Sequence, residues 1–590
     1  MSRSGAVITW DGRLDNREEL IGRLKDVFST GSTDLSIVVA AYDSWGTDAF
    51  ARLIGDWAIS IWDPSSRSLI LAKDFVGTRH LYYLVGKHEV IWCTILDPLV
   101  LFAGHSFALE EEYIAGWLSS FPAAHLTPYV GIHSVPPSSF VFLQPGRCTI
   151  QKYWDFDPSK RIHYRTDIEY EEHFRCAFSE AVRRRLRSDS AVLAELSGGM
   201  DSSSIVCVAD AVLARGIGGT PRLDTVSHYD DSEPNWNERP YFGKVETMRG
   251  RPGWHIDIGS LNPLSFESDR GRFAATPSSA GCRSEVERQF AECISAQGNR
   301  AVLSGIGGDE FTGGVPSPIP ELGDLLSTAH FKTLAHQLKR WALNKRVPWF
   351  HLLYEAAREF MPEALQGGPT QTQPIPWVQH AFVEWLRLSL NPYQHRLTIC
   401  GPLPSFQQSL KALDLLRGQL ACYALSSDAV CEKRYPFLDR DLTEFLISVP
   451  REQLVRPGQR RSLMRRALAG IVPHEILDRK RKAFVVRGPL ARIQPEWQSL
   501  VEASRSMRSE SLKIVDSQSF LNALKRAADG QDIPLIPLLR TVSLERWLRN
   551  LEHWNSVQFS MVLLTRPPLP GSVPGDQAKV AISYERQALS

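Results

Sequence analysis

A serine-glycine turn constrains the fold of this sequence more than any other feature. The string AVLAELSGGMDSSSIVCVAD places residues 197–202 between an apolar, strand-like stretch at 191–196 and a helix-like stretch at 202–214. The first amides of a helix have no partner within the helix, and the helix dipole favours an anion beside them. Two glycines also allow the backbone to approach a phosphate closely. The string therefore predicts a strand, a phosphate-binding turn and a helix, with a tight turn capped by Ser202 as the structural alternative.

The segments around this turn alternate between strands and helices. The apolar patterns predict helices at 171–186, 202–214, 238–248 and 284–296, and strands at 191–196, 223–228, 254–258 and 300–303. Such alternation is typical of an α/β domain whose parallel sheet is covered on both faces. We predict that this domain spans residues 170–555. Its part beyond residue 321 is mostly helical in pattern, with a loop at 366–376.

Residues 1–160 show a different pattern, which is rich in β-structure. Strand-like stretches at 8–10, 58–62, 69–72 and 91–93 are interrupted by helix-like stretches at 17–28 and 35–45. This pattern predicts a separate sandwich of sheets and helices. Two domains also suit a chain of 590 residues, because single cores stop growing at roughly 250–300 residues. The proline-rich end at 566–590 is predicted to be a mobile tail.

Charge and cysteine usage exclude several classes of protein. The chain carries 67 Lys and Arg against 66 Asp and Glu, so no overall field draws it to nucleic acid or to an anionic membrane. Its start lacks the apolar core of a signal peptide, and its apolar runs are shorter than the roughly 20 residues of a membrane helix. Nine cysteines without CxxC pairs argue against a disulfide framework and a zinc site. We therefore expect a cytoplasmic protein without nucleic-acid or membrane partners.

Four stretches resemble one family of ATP-dependent enzymes. LSGGMDSSS at 196–204 is similar to the PP-loop of ATP-pyrophosphatases, which holds the pyrophosphate released when a carboxylate attacks the α-phosphate of ATP. LSGIGGDEFTGG at 303–314 and CEKRYPFLDRDL at 431–442 are similar to two further signatures of the asparagine-synthetase family. GDWAISIWDPSSRSLILAKDFVGTRHLYY at 55–83 resembles the glutamine-amidotransferase-like domain of the same enzymes. The resemblance implies an Ntn-hydrolase-like sandwich followed by a PP-loop ATP-pyrophosphatase domain with a parallel sheet and a helical C-terminal region.

This resemblance also implies the cofactors and the nucleotide-binding residues. ATP and Mg²⁺ are the expected cofactors, with Asp201 and Asp309 as the metal ligands. The residues expected to bind the nucleotide are Leu196, Ser197, Gly198, Gly199, Asp201, Ser202, Ser227, Ser304, Gly305 and Gly307. Glu233 and Glu238 lie in a stretch that could contact nucleotide or peptide, but we expect them to be structural.

Two further predictions concern catalysis. Glu432 is predicted as the base that takes a proton from the attacking amine, with a surface or capping glutamate as the alternative. The family has a lysine that stabilises charge at the adenylate, and Arg481 stands at the aligned position. Since Lys480 and Lys482 flank it, any of the three could supply the cation, and we take Arg481 and Lys482 as the catalytic candidates. The alternative is a solvated basic face beside Arg460, Arg461, Arg465 and Arg466.

The N-terminal part departs from the family pattern. Glutamine-using members carry a cysteine directly after the initiator methionine, and its free amine serves as the base for its own thiol. Here Ser2 follows Met1, and the first cysteine is Cys93. The match also starts partway into the domain, so either the domain has a structural role or the true start lies upstream. We expect that the chain as given does not release ammonia from glutamine.

Without glutamine hydrolysis, the attacking amine must arrive with a substrate. Family members that close rings include β-lactam synthetases and lasso-peptide macrolactam synthetases, and HYDDSEPNWNERPYF at 228–242 with the basic stretches GQRRSLMRRAL and ILDRKRKAF most resembles the lasso-peptide cyclases. This implies a precursor peptide as substrate, with a leader peptidase and a leader-binding protein as further partners. The alternatives are an asparagine synthase, supplied by free ammonia or by glutamine with an upstream start, and an inactive scaffold that binds a peptide or partner.

Overall fold

The structure, a computed structural model, describes residues 2, 5–24, 28, 31–231, 238–259, 264–281, 284–361, 375–383, 397–423, 431–480 and 493–554. The predictions for Glu233, Arg481, Lys482 and the tail at 566–590 lie outside these residues, as does most of the loop predicted at 366–376. No helix within the described ranges is both long enough and apolar enough to cross a membrane.

The N-terminal part contains two antiparallel sheets and short helices. Its strands are β1 Val7–Leu14, β2 Gly55–Asp63, β3 Ser68–Lys73, β4 Tyr82–Val85, β5 Val90–Cys93, β6 Ile132–Ser134, β7 Ser139–Gln144 and β8 Arg147–Lys152. Its helices are α1 Arg17–Arg23, α2 Asp34–Trp45, α3 Leu96–Leu101 and α4 Glu111–Ser119, with a 3-10 turn at Gly46–Arg52. The four predicted strands are confirmed, whereas helix α1 is shorter than the predicted 17–28 because Leu24 leaves the helical conformation and buries its side chain.

These elements form the sandwich that the sequence predicts. One sheet has the order β1-β2-β3-β7-β8, and the other has the order β5-β4-β6. Apolar side chains such as Leu71, Val141 and Tyr83 pack between the two sheets, because alternate residues of a strand point to the same face. Helices α1 and α2 cover the outer face of the larger sheet and bury Leu20 and Val38. The N-terminal part is therefore a layered, Ntn-hydrolase-like sandwich.

The C-terminal part is built on a parallel sheet. Its strands are β9 Val192–Glu195, β10 Leu223–Tyr229, β11 Trp254–Asp257, β12 Ala301–Leu303 and β13 Glu432–Arg434. They are ordered β11-β10-β9-β12-β13, and every neighbouring pair is parallel. The carboxyl ends of the strands therefore meet at one edge, where ligands bind in open α/β sheets. The predicted α/β fold class is confirmed, and four of the five strands match predicted stretches.

Helices surround this sheet and make up most of the chain beyond it. They are α5 Asp167–Arg185, α6 Met200–Ala214, α7 Arg239–Arg249, α8 Glu285–Gln297, α9 Gly308–Phe311, α10 Ile319–Ser327, α11 Phe331–Lys345, α12 Trp349–Arg358, α13 Pro404–Cys422, α14 Arg440–Ser448, α15 Arg451–Leu454, α16 Ser462–Ala467, α17 His474–Leu477, α18 Trp497–Ser504, α19 Arg508–Ser511, α20 Ser517–Ala528 and α21 Leu535–Trp554. Helix α5 begins with a capping box in which Thr166 and Glu169 bind each other's backbone amides. Helices α6 and α8 flank β9 on its two faces, since they contribute to separate apolar clusters of the sheet.

A buried network of charges fastens the sandwich to the parallel-sheet part. Arg13 of β1 donates hydrogen bonds to Asp56 at 2.8 Å and to Glu432 of β13 at 3.0 Å. Arg185, at the end of α5, donates to Asp439. Because Arg13, Asp56, Arg185 and Asp439 are buried, each of these charges depends on its partner for stabilisation.

Candidate active site

A cavity of about 550 Å³ opens at the carboxyl edge of the parallel sheet. Its walls come from the turn after β9, the turn after β12, helix α13 and the stretch 460–479. Seven of the ten residues expected to bind the nucleotide line it: Leu196, Ser197, Gly199, Asp201, Ser202, Ser304 and Gly305. The structure thus brings together the two glycine-rich loops that the sequence singled out.

The first loop turns directly into helix α6. Gly198 has a φ of +66°, and the helix begins two residues later at Met200. The Ser202 hydroxyl accepts a hydrogen bond from the Ser197 amide at 3.1 Å and lies 3.0 Å from the Ser197 hydroxyl. This geometry holds the amino end of α6 against the cavity, where its free amides attract an anion.

Three residues expected to bind the nucleotide do not line the cavity. Gly198 packs under Glu238 and Tyr241, and its carbonyl accepts a hydrogen bond from Arg479 at 3.1 Å. Gly307 has a φ of +93° and lies against Leu438. Ser227 is fully buried in β10. Gly198 and Gly307 therefore shape the loops, since no side chain would fit in their places. Their predicted contact with the nucleotide stays a prediction.

The two predicted metal ligands converge on one arginine. Arg461 donates from Nε and Nη2 to the two carboxylate oxygens of Asp201, at 2.9 and 2.6 Å, and it also donates to Asp309. Burial alone would lower the pKa of Arg461, but the charges of the two carboxylates outweigh it and the pKa rises. The loops can come this close because residue 308 is glycine: a Cβ there would lie 2.5 Å from Cγ of Asp201.

The donor set of these carboxylates fits magnesium. Mg²⁺ prefers oxygen ligands, and in phosphate-transfer sites it is commonly held by one or two carboxylates, waters and the phosphates of the substrate. Asp201 and Asp309 supply such oxygens from two loops that share one cavity. They are the residues that would hold the ion beside the nucleotide.

Further arginines make one wall of the cavity positive. Arg460, Arg465 and Arg479 line it beside Arg461. Burial, followed by the charge of Arg461, lowers the pKa of Arg460. Burial also lowers the pKa of Arg465. Arg466, by contrast, pairs with Glu171 outside the cavity.

Arg479 also ties the first loop to helix α7. Its guanidinium pairs with Glu238 at 2.7 Å and stacks 3.6 Å from the ring centre of Tyr241. Glu238 is fully buried at the start of α7, which agrees with the structural role expected for it. Lys480, one of the three candidate cations, is exposed, and the described chain stops there before Arg481 and Lys482.

The structure places Glu432 away from the cavity. It lies at the amino end of β13, level with Ala301 of β12, and it does not line the cavity. Its carboxylate contacts Arg13, Arg79 and Arg434, each at 3.0 Å. Burial alone would raise the pKa of Glu432, but these three guanidinium groups outweigh it and the pKa is lowered. This placement argues against the predicted role as base, because a low-pKa carboxylate held by arginines is a poor proton acceptor.

Some cavity residues have only weak signals in the sequence. Arg461 belongs to a run of basic residues, which is more often a solvated face than a ligand. Glu195 is easier to recognise in the sequence as a candidate site residue, since it is the charged residue of an otherwise apolar strand. His228 and Gln419 also line the cavity without a motif to mark them.

Substituting Gly198 by alanine is expected to destabilise the protein by about 1–2 kcal/mol, because the residue has a left-handed conformation. The added Cβ would also lie 2.7 Å from Cβ of Tyr241 and 2.9 Å from the amide of Phe242. Denaturant unfolding and ATP-dependent activity would both report the change. The matched control is Gly243→Ala, in the middle of α7 with no atom within 4 Å of the new Cβ. It should be neutral or stabilising by about 0.5–1 kcal/mol; equal losses for the two variants would contradict this interpretation.

The fold and the cavity define the class of protein. An amidotransferase-like sandwich precedes a parallel sheet whose phosphate-binding loop faces two carboxylates and a wall of arginines. Residues 173–549 match the family model described as asparagine synthase, and residues 1–154 match the model described as a glutamine amidotransferase domain. The chain belongs to the asparagine synthase family, and it is therefore an ATP-dependent carbon–nitrogen ligase.

Relatives with assigned names are similar over most of the chain. Amidase chry2 of Gibberella zeae is 24% identical over 592 residues, covering 88% of this chain and 83% of the relative. Amidase chyE of Penicillium rubens is 25% identical over 605 residues, covering 91% and 85%. Asparagine synthetase [glutamine-hydrolyzing] 1 of Bacillus subtilis is 24% identical over 549 residues, covering 85% and 79%. These relatives support the family and leave the choice of substrate open.

Proposed function

We propose that the protein activates a side-chain carboxylate as its adenylate and transfers the acyl group to an amine. The observation that carries this proposal is the meeting of four features in one cavity: the amino end of α6, the carboxylates of Asp201 and Asp309, and a wall of arginines. A polyanion with a bound divalent cation matches this arrangement of charges. The triphosphate of ATP with Mg²⁺ is such a ligand, and the family uses ATP.

The residues around the cavity suit the first chemical step. A carboxylate oxygen attacks the α-phosphorus of ATP, and pyrophosphate leaves with the electrons of the broken bond. The amino-terminal amides of α6 and the hydroxyls of Ser197 and Ser202 would bind the leaving pyrophosphate. Asp201 and Asp309 would hold Mg²⁺, which offsets the negative charge that builds on the leaving group. Arg460 and Arg465 add fixed positive charge where that negative charge develops.

For the substrate, we propose macrolactam closure of a precursor peptide, in which carboxylate and amine belong to one molecule. The resemblance of 228–242 and of the basic stretches to lasso-peptide cyclases supports this proposal. Holding the two ends of a peptide together could lower the barrier by about 7–11 kcal/mol. A leader peptidase and a leader-binding protein are the partners that follow from it, and a cytoplasmic location is part of the same proposal.

The second candidate is asparagine synthase, with ammonia or glutamine as the nitrogen source. It is favoured by the similarity to the glutamine-hydrolysing asparagine synthetase of Bacillus subtilis, which covers 85% of this chain. The two candidates share the adenylate chemistry and differ in the acid that is activated.

Exchange of labelled pyrophosphate into ATP tests the shared chemistry and separates the candidates. The purified protein would be given ATP, Mg²⁺ and one acid: L-aspartate, or a linear peptide with a free amino terminus and a side-chain carboxylate. Acid-dependent exchange is expected, with AMP as the nucleotide product once an amine is present. Exchange with the peptide alone would support the cyclase, and exchange with aspartate alone would support asparagine synthase. Release of ADP and phosphate instead would overturn the proposed function.

A further inference from the structure

Glu195 is an unusual residue for the position it occupies. It ends β9, the central strand of the parallel sheet, whose other residues Val192, Leu193 and Ala194 are fully buried and apolar. A charge at the end of such a strand costs desolvation energy unless it pairs with an opposite charge or with a ligand. The Glu195 side chain lines the cavity, two positions before Ser197 of the phosphate-binding loop. Its place is therefore within the active site and next to the activating loop.

Glu195 differs from Asp201 and Asp309, which line the same cavity, in how it is held. Asp201 and Asp309 are bound by Arg461 through short, charge-assisted hydrogen bonds. Glu195 instead receives a long hydrogen bond of 3.4 Å from Nζ of Lys433, a residue whose side chain is half exposed. Among the described residues this is its one side-chain hydrogen bond, so the carboxylate keeps capacity to accept protons from a ligand.

The titratable groups around Glu195 in the described chain are one cation and three groups that favour their neutral forms. Lys433 has a raised pKa, chiefly because of the charge of Glu195, so the two groups stabilise each other as an ion pair. The charge of Glu195 acts on the pKa of four neighbouring groups. They are His228 of β10 and, on and around β13, Cys431, Lys433 and Tyr435. Burial lowers the pKa of His228 and raises the pKa values of Cys431 and Tyr435, which favours the neutral forms of all three. Lys433 is therefore the cation that faces Glu195.

We propose that Glu195 is the catalytic residue that receives the attacking amine; this inference rests on the proposed adenylate chemistry. A primary amine is mostly protonated near neutral pH, since an α-amine has a pKa of about 7.7–8.0. The ammonium binds the Glu195 carboxylate and gives it one proton. The freed nitrogen lone pair forms the C–N bond, the C–O bond to AMP breaks, and AMP leaves with that electron pair. The nitrogen loses its second proton to solvent as the amide forms.

Glu195 is better placed than Glu432 to act as the base for the attacking amine. Glu432 is fixed by three arginines outside the cavity, whereas Glu195 has one long contact within it. Gln419 of α13 and His228 line the cavity together with Glu195 and supply neutral polar groups for the rest of an amine substrate. The substrate class assigned to this end of the cavity is thus a protonated primary amine, either ammonium or the amino terminus of a peptide.

Glu195→Gln tests the inference because it removes the base but keeps the shape of the side chain. Three rates would be measured with whichever acid supports exchange. They are pyrophosphate exchange without an amine, amide formation with ammonium or the peptide's own amino terminus, and hydroxamate formation with hydroxylamine. If the acid is a peptide, its amino terminus is acetylated for the first and third measurements. Hydroxylamine is largely unprotonated at neutral pH and so does not need a base. We expect amide formation to fall about 10²–10⁴-fold, while exchange and hydroxamate formation stay within about threefold, since neither needs the general base.

The matched control is Asp224→Asn, a carboxylate of the neighbouring strand β10 that pairs with Arg222 outside the cavity. It should leave the three rates unchanged. If Glu195→Gln keeps full amide formation, the inference fails while the proposed function stands. If this variant loses exchange together with the other rates, Glu195 acts in folding or adenylation and the inference also fails. If the unmodified protein shows no acid-dependent exchange, the proposed function itself fails.

Discussion

Replacing Asp201 by asparagine is expected to lower the rate of ATP-dependent amide formation by about 10²–10³-fold, the effect of losing one preorganised electrostatic group. The substitution keeps the shape of the side chain but removes the charge that would hold Mg²⁺ at the first loop in the proposed function. It also leaves Arg461 without its bidentate partner, so the positive charge next to the pyrophosphate site loses its orientation. Pyrophosphate exchange should fall by the same factor, because the loss affects the activation step.

The control for this variant lies in the same helix. Asp210→Asn changes a carboxylate of α6 that accepts a hydrogen bond from Arg249 at 2.7 Å and does not line the cavity. It should retain near-normal exchange and amide formation. Thermal unfolding of both variants would separate loss of function from loss of fold. An Asp201→Asn protein that is folded and fully active would contradict the assignment of the metal and pyrophosphate site.

Replacing Arg185 by methionine is expected to lower the free energy of unfolding by about 3–5 kcal/mol, because a buried ion pair would lose one partner. Arg185 is 1% exposed and contacts Asp439 and, at 3.1 Å, Asp15. Both carboxylates are buried. Arg184 still pairs with Asp439 and Arg13 with Asp15, but removing the Arg185 guanidinium leaves an excess of negative charge between the sandwich and the parallel-sheet part. Because the methionine side chain is also long and unbranched, the loss in the free energy of unfolding arises more from the missing charge than from the missing side-chain volume.

Arg183→Met is the matched control for Arg185→Met. Arg183 lies in the same helix, but its ion pair with Glu180 is partly exposed, and such surface pairs contribute about 0–1 kcal/mol. Unfolding in denaturant would be followed by tryptophan fluorescence and circular dichroism, since two probes reveal whether the two parts unfold together. Similar losses for the two variants would rule out the buried network as the main link between the parts.

Most of the parallel-sheet domain could be predicted from local sequence patterns. Strands such as β9 and β12 are short apolar runs next to amphipathic helices, so their type and order follow from periodicity. Strands β7 and β8 were missed because their pairing depends on neighbours in the sheet more than on a local pattern. Strand β13 was also missed, since its three residues, Glu432–Arg434, are all charged.

The candidate site could be predicted only where it is built from contiguous loops. Asp201 and Asp309 each stand in a glycine-rich string, and parallel strands bring the ends of such strings to one edge. The partners of Glu432 could not be predicted in this way, because Arg13 lies 419 residues away in sequence. The bridging role of Arg461 depends on its hydrogen bonds to both loops, which no local pattern encodes.

The central claim is that the acid is activated as an adenylate at the first loop. It can be tested with an acid whose carboxylate oxygens are oxygen-18. Because a carboxylate oxygen attacks the α-phosphorus and the C–O bond breaks later, the account predicts that the AMP released with the amide carries one labelled oxygen. Pyrophosphate should carry none. Unlabelled AMP, or label in inorganic phosphate released with ADP, would contradict the account.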